Sequence, residues 1–207
     1  MNSPSLLPVS EPDSPAAVVL VLHGGRANSM APVSGRNLAV LRLRPVASAI
    51  RRAGRRAGTP LAVYRLQLAV RGWNGDGAGA ISDGRWALAQ IKAQYPGVPV
   101  ILVGHSMGGR TAMRLTDDPA IVGMVGLAPW LESGDPIVAP AGFPLRVLHG
   151  SNDRIVPERN TLPYVARAVA AGVLVDRTVL SGTAHGMLRK WFTWHRLTAE
   201  AVLRFAS

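Results

Sequence analysis

The chain has 207 residues, no cysteine and a formal net charge of +11 at neutral pH. Its length predicts a single domain over residues 17–207, preceded by a flexible tail over residues 1–16. Hydrophobic residues make up 48% of the chain and charged residues 17%, which excludes a disordered protein and a charge-rich coiled coil. The lack of cysteine excludes a disulfide scaffold, a thiol nucleophile and a cysteine-bound metal.

Alternating strands and helices follow the tail. Residues 1–15 lack the basic and apolar regions of a secretion signal, which predicts a cytoplasmic location. Apolar runs predict strands over residues 17–22, 61–66, 98–103, 121–127, 145–148 and 173–180. Helical patterns lie between or after them, over residues 37–53, 82–94, 106–115, 158–171 and 186–205, with Ser82 or Asp83 capping the second. The order predicts an α/β fold, a doubly wound and mostly parallel sheet of about six strands flanked by helices.

A basic segment lies within the first predicted helix and contains Arg42, Arg44, Arg51, Arg52, Arg55 and Arg56. The last four share one helical face, which is either a solvated outer surface or a site for an anionic partner. We favour the solvated surface over contact with a membrane. Nucleic acid is not an expected partner, because no aromatic or amide side chains lie among the arginines. Nothing in these patterns indicates an oligomeric state.

The sequence Gly104-His105-Ser106-Met107-Gly108 joins a predicted strand to a predicted helix. Small residues two positions before and after the serine allow a sharp, strained turn that presents its hydroxyl at the end of the sheet. This placement predicts Ser106 as a nucleophile, with an ordinary helix-capping serine as the alternative.

A serine nucleophile needs a general base and an acid that orients it. Of five histidines, His185 is the predicted base because it lies on the loop after the last strand, whereas His105 is expected to point away from the serine. Asp153, after the fifth predicted strand, is the predicted acid, and Asp135 is the competing candidate. The order serine, aspartate, histidine is typical of this architecture.

An oxyanion formed during acyl transfer needs backbone N–H donors, and Met107 is predicted to supply one because it follows the nucleophile. Gly25, at the end of the first strand, is the predicted second donor, and Arg26 is the alternative. Arg26, Trp130 and Leu131 are predicted to contact substrate in an open cleft, although Trp130 could equally belong to the core. No metal ligands are predicted.

The motifs HGG, GHSMGG, HGSND followed by IVP, and GTAHG resemble those of the serine-nucleophile α/β-hydrolase family. The resemblance spans residues 17–205 and implies a small, lidless member similar to esterases and thioesterases. It implies the roles given above for Ser106, Asp153, His185, Gly25 and Met107, and no cofactor. Arg71-Gly72 resembles a further family motif. The chain departs from larger members in lacking most N-terminal antiparallel strands and a cap domain after the fourth predicted strand.

The predicted function is therefore hydrolysis of a small carboxylic ester or thioester through an acyl-enzyme. An acyltransferase or perhydrolase would use the same residues, and an amidase would use the same triad. A non-catalytic binding protein on the hydrolase fold is the alternative from a different class.

Overall fold

The computed structural model describes residues 2–207 and contains one seven-stranded sheet. The strands are β1 (Ser5–Ser10), β2 (Ala17–Leu22), β3 (Leu61–Gln67), β4 (Val100–His105), β5 (Ile121–Leu127), β6 (Pro144–Gly150) and β7 (Leu174–Leu180). Their order across the sheet is β1-β3-β2-β4-β5-β6-β7, and every pair is parallel except β1 with β3. The predicted α/β fold with a mostly parallel sheet is therefore confirmed.

Helices cover both faces of the sheet. They are α1 (Leu38–Ala57), α2 (Ala78–Gln94), α3 (Met107–Met113), α4 (Leu162–Ala170) and α5 (Trp191–Phe205), with a 3₁₀ turn at Glu158–Thr161 before α4. Successive side chains of a strand point to opposite faces, so β2 and β4 need apolar residues at every position. Val18, Leu20 and Leu22 pack towards α2, α3 and α4, whereas Val19 and Val21 pack towards α1 and α5.

The predicted flexible tail is wrong for residues 5–10, because they form the antiparallel edge strand β1. Leu6 packs against the core on one face of the sheet and Val9 against the core on the other. Pro8 is tolerated because an edge strand needs no donor on its outer side. Ser10 ends the pairing with a hydroxyl that donates to the Leu61 carbonyl over 2.8 Å.

Two helices begin at positions that differ from the prediction. Helix α2 begins at Ala78, where the Asp76 carboxylate accepts the Ala78 N–H over 3.0 Å. The predicted cap Asp83 lies inside the helix and accepts the Ala69 N–H instead. Helix α5 begins at Trp191 rather than near residue 186, because residues 186–190 form turns.

The strand order reverses between β2 and β4, so the chain leaves these neighbouring strands in opposite directions. A crevice forms at the carboxyl ends of strands at such a point and is the usual ligand site of open α/β sheets. The segment over residues 128–143, where a cap domain would be inserted, contains turns and no helix. Among residues 2–207, no helix is both long and apolar enough to cross a membrane.

Candidate active site

Ser106 lies at the sharp turn between β4 and α3, with φ 54° and ψ −120°. A residue other than glycine adopts this conformation only at a free-energy cost, and such strain concentrates at functional sites. A Cβ at Gly104 would lie 2.4 Å from the Gly108 carbonyl oxygen, and a Cβ at Gly108 would lie 2.4 Å from the Leu22 carbonyl oxygen. The two glycines are therefore required because backbone segments meet at the turn.

His185 and Asp153 come together although 32 positions separate them, and His185 Nδ1 lies 2.7 Å from Asp153 Oδ2. The carboxylate can only accept, so Nδ1 carries the proton of this hydrogen bond and Nε2 is the ring nitrogen left for a substrate-side proton. Asp153 is buried and the His185 side chain is 13% exposed. This is the arrangement that a general base with an orienting acid requires.

The Asp153 carboxylate is held by groups on its own loop. The N–H groups of Ile155 and Val156 both donate to Oδ1 over 2.9 Å. His149 Nε2 lies 3.4 Å from Oδ2. Burial alone would raise the pKa of Asp153, but the hydrogen bonds from His149, His185 and Val156 outweigh it and hold that pKa well below its ordinary value. Asp153 is therefore ionised at neutral pH and accepts the hydrogen bond from His185.

His105 contacts His185, a contact that the sequence did not predict. The two rings lie 4.8 Å apart between centroids, and His105 Nε2 donates to the His185 carbonyl over 2.9 Å. Burial, followed by the electrostatic effect of His185, lowers the pKa of His105 to about 3, so this ring is neutral. The residue before Ser106 thus fixes the backbone of the loop that carries His185.

The residues predicted to supply the oxyanion donors are in contact through the Met107 side chain. A Cβ at Gly25 would lie 2.6 Å from Met107 Sδ, so the loop after β2 packs directly on the start of α3. Within residues 2–207, neither the Gly25 N–H nor the Met107 N–H donates to a backbone carbonyl of a turn or loop. The N–H of Arg26, the alternative donor, is already bonded to the Arg71 carbonyl over 2.8 Å. The geometry thus favours Gly25 over Arg26.

The residues predicted to contact substrate have three different environments. Arg26 is exposed and lines a cavity of about 300 Å³ beside Gly25. Trp130 is half-buried, and its backbone N–H donates to the Ser106 carbonyl over 3.0 Å, whereas its indole N–H donates to Glu132. Leu131 is 2% exposed and belongs to the core, so it does not line an open cleft. The Met107 side chain is also fully buried.

A cation–aromatic stack beside the serine turn is absent from the sequence prediction. The guanidinium carbon of Arg110 lies 4.5 Å from the Trp73 ring centroid and 4.6 Å from that of Trp130. Arg110 also donates to Asp135 over 2.7 Å. Asp135, the alternative to Asp153 as the predicted acid, is therefore bonded to an arginine. The sequence feature that could have indicated this contact is the position of Arg110 one helical turn after Ser106, a spacing that places the two residues on the same side of α3.

The three remaining histidines have structural contacts. His23 accepts the Leu68 N–H over 3.2 Å and bonds the Gly24 carbonyl over 2.7 Å, which joins the ends of β2 and β3. His149 donates to the Val156 carbonyl over 2.9 Å. His195 is buried on α5 and stacks on Trp191. No group of three histidine or acidic side chains within residues 2–207 is arranged to hold a metal ion.

A family model described as serine aminopeptidase, S33, matches residues 69–142, a segment that includes Ser106. Among solved structures, an α/β serine hydrolase homologue from Coxiella burnetii is 15% identical, with 96% of this chain and 90% of that chain covered at a TM-score of 0.69. An α/β serine hydrolase without a lid from Xanthomonas campestris is 21% identical, with coverages of 98% and 88% and a TM-score of 0.67.

A thermophilic esterase from the planctomycete Thermogutta terrifontis, solved with propionate bound, is 17% identical, with coverages of 98% and 87% and a TM-score of 0.64. None of the curated proteins matches the chain. The chain thus has the fold of the lidless α/β hydrolases, and the predicted resemblance is confirmed at that level. The family model and the neighbouring structures together support a hydrolase.

Proposed function

We propose that the protein is a serine hydrolase that cleaves small carboxylic esters or thioesters through an acyl-enzyme. Ser106 attacks the acyl carbonyl, and His185 accepts the serine proton at Nε2 and then donates it to the leaving alcohol or thiol. Water attacks the acyl-enzyme in the second half of the reaction and releases the acid. The N–H groups of Gly25 and Met107 stabilise the negative oxygen of both tetrahedral intermediates.

One observation carries the proposal more than any other. The strained Ser106 turn is joined through His105 to the loop whose histidine bonds Asp153 over 2.7 Å. A binding protein has no requirement for a strained serine and an ionised, buried aspartate bonded to a histidine. The combination therefore favours an enzyme over a non-catalytic member of the fold.

The charges beside the site favour esters over the N-terminal peptides that an aminopeptidase cleaves. A free α-amino group is cationic and is normally recognised by carboxylates. The cavities beside Gly25 and beside Gly186 are lined by arginines and by no aspartate or glutamate. The propionate in the related esterase is consistent with a small acyl group in a lidless site.

Labelling with a fluorophosphonate, which reacts only with an activated serine, tests the assignment of the nucleophile. We expect one adduct per chain by intact mass, located on Ser106 by peptide mapping, and no adduct on the Ser106→Ala variant. Ser133→Ala, in an exposed loop, is the matched control and should label fully. Hydrolysis of nitrophenyl esters from acetate to octanoate should disappear in Ser106→Ala alone. A folded wild-type protein that takes no label and hydrolyses no ester would contradict the proposal.

A further inference from the structure

Two cavities lie side by side along the first turns of α1. One, of about 300 Å³, is lined by the loop that carries Gly25 and Arg26. The other, of about 500 Å³, is lined by Gly186 and the residues that follow it, directly after His185. Leu38, the first residue of α1, lines both of them, so they are neighbouring cavities, and we name the two together the α1 groove. The groove therefore runs past the candidate oxyanion site to the loop of the candidate base.

The walls of the α1 groove are mostly apolar and open to solvent. Beyond Leu38 they contain the side chains of Leu41, Pro45, Met187, Leu188 and Trp191. Leu38 is 76% exposed, Leu188 is 80% exposed and Trp191 is 55% exposed. Exposed apolar side chains grouped beside a reactive centre are typical of a surface that binds the apolar part of a ligand.

Arg42 places a positive charge in this apolar wall. Its guanidinium is half-buried, and a Cβ at Gly186 would lie 3.6 Å from its Nη2 atom. No carboxylate of residues 2–207 forms an ion pair with Arg42. Burial lowers the pKa of Arg42, but a guanidinium remains protonated in proteins. The groove therefore contains a partly desolvated cation without an anion.

Two further arginines add positive charge to the groove. Arg26 and Arg71 line its other end, and no aspartate or glutamate lines either cavity. The charge of Arg42 also reaches the site itself, because it contributes to the lowered pKa of His105. An apolar groove with uncompensated positive charge is complementary to a ligand that is apolar along its length and anionic at one point.

We propose that the α1 groove binds the non-reacting part of an ester that combines an apolar segment with a carboxylate, and that Arg42 holds the carboxylate. The inference rests on the proposed function, because the groove is lined by the loop of Gly25 and by the residues that follow His185, and the inference names the class of ester that Ser106 would receive. The carboxylate offsets the cost of burying the guanidinium and accepts charge-assisted hydrogen bonds from it. One arginine of the basic segment thereby gains a role in substrate selection rather than in solvation.

Paired substrates that differ only by the carboxylate test this selection. The first pair, mono-4-nitrophenyl glutarate and 4-nitrophenyl pentanoate, differs on the acyl side. The second pair, 4-carboxyphenyl butyrate and phenyl butyrate, differs on the alcohol side. For at least one pair, Arg42→Gln should lower kcat/KM for the anionic member about 10- to 100-fold and leave the neutral member within about twofold. Arg42→Lys should retain part of the preference, and added salt should weaken it in the wild type.

Arg55→Gln is the matched control, because Arg55 is exposed on the same helix and lies outside the groove. It should leave kcat/KM for all four esters unchanged. Equal values for wild type and Arg42→Gln on both anionic esters would overturn the inference. So would equal losses on the anionic and neutral members, since these would mean a structural role for Arg42.

Binding to the Ser106→Ala variant separates this inference from the proposed function. Titration calorimetry should show that Ser106→Ala binds the anionic ester of the preferred pair more tightly than the neutral one. The double variant with Arg42→Gln should bind both equally. This result needs no catalysis, so it stands even where ester hydrolysis fails. A wild-type protein that hydrolyses neutral esters, with no effect of Arg42 on binding or rate, would reject only the groove assignment.

Discussion

His105 connects the two halves of the candidate site without reaching the position of a substrate. Its ring is fully buried, stacks on His185 and donates to the His185 carbonyl. The side chain of a base is only as well placed as the backbone beneath it, and a misplacement of about 1 Å costs about 100-fold in rate. His105 is therefore a positioning residue for His185.

Replacing His105 by phenylalanine should lower kcat for a nitrophenyl ester about 10- to 100-fold and leave KM nearly unchanged. The reason is that phenylalanine keeps the apolar contacts and loses the donor to the His185 carbonyl. Steady-state kinetics measures this split between kcat and KM, and denaturant unfolding confirms that the variant is folded. His105→Gln retains an N–H donor and should recover part of kcat. A folded His105→Phe enzyme with wild-type kcat would show that the contact is not needed.

At the residue scale, the contacts of a side chain can be predicted from the sequence where the position of its backbone decides them. Asp153 and His185 follow neighbouring strands of a parallel sheet, so their meeting follows from chain order. Leu131 was assigned wrongly because an irregular segment gives no periodicity to distinguish a buried from an exposed side chain. Arg42 and Arg110 have long side chains whose direction depends on rotamers and on distant partners, which spacing alone does not indicate.

The turn between β4 and α3 depends on the close approach of three backbone segments. The Gly104 position faces the Gly108 carbonyl, and the Gly108 position faces the end of β2. The first neighbour cannot move without shifting the start of α3, and the second cannot move without shifting the central strand β2. The conformation of Ser106, the proposed nucleophile, is therefore set by the packing of these elements and not by the serine alone.

Gly104→Ala should lower the free energy of unfolding by about 1–3 kcal/mol or more, because the added Cβ meets backbone atoms. Denaturant unfolding followed by far-ultraviolet circular dichroism measures the change. Gly79→Ala is the matched control, since a Cβ at Gly79 in α2 has no atom within 4 Å. It should leave stability unchanged or raise it by up to about 1 kcal/mol. Similar stabilities for the two variants would mean that the Gly104 turn tolerates bulk.

Strands with a continuous apolar run were predicted closely, because a strand that is buried on both faces requires such a run. β2 and β5 have the predicted bounds. β1 was missed because an edge strand is only half-buried and contains Pro8, which is typical of a loop. The starts of α2 and α5 were displaced because Asp76 and the turns after Gly186, rather than apolar periodicity, decide where each helix begins.

On the scale of the whole molecule, the strand order gathers the functional loops at one edge of the sheet. The loops after β2, β4, β6 and β7 supply Gly25, Ser106, Asp153 and His185, and these strands lie within one sheet. Arg26, Arg42 and Arg71 line the α1 groove at this end of the sheet, and the groove adds apolar surface beside them. The fold therefore places the candidate catalytic residues and the α1 groove at the same end of the sheet.

The most direct test of the central claim is to trap the acyl-enzyme. Rapid mixing of excess nitrophenyl butyrate with the wild-type protein, followed by acid quench and intact mass measurement, should give one butyryl group per chain on Ser106. The group should turn over to butyric acid at the steady-state rate and be absent from Ser106→Ala. A protein that releases butyric acid with no butyryl group on Ser106, or with equal rates in Ser106→Ala, would contradict the account.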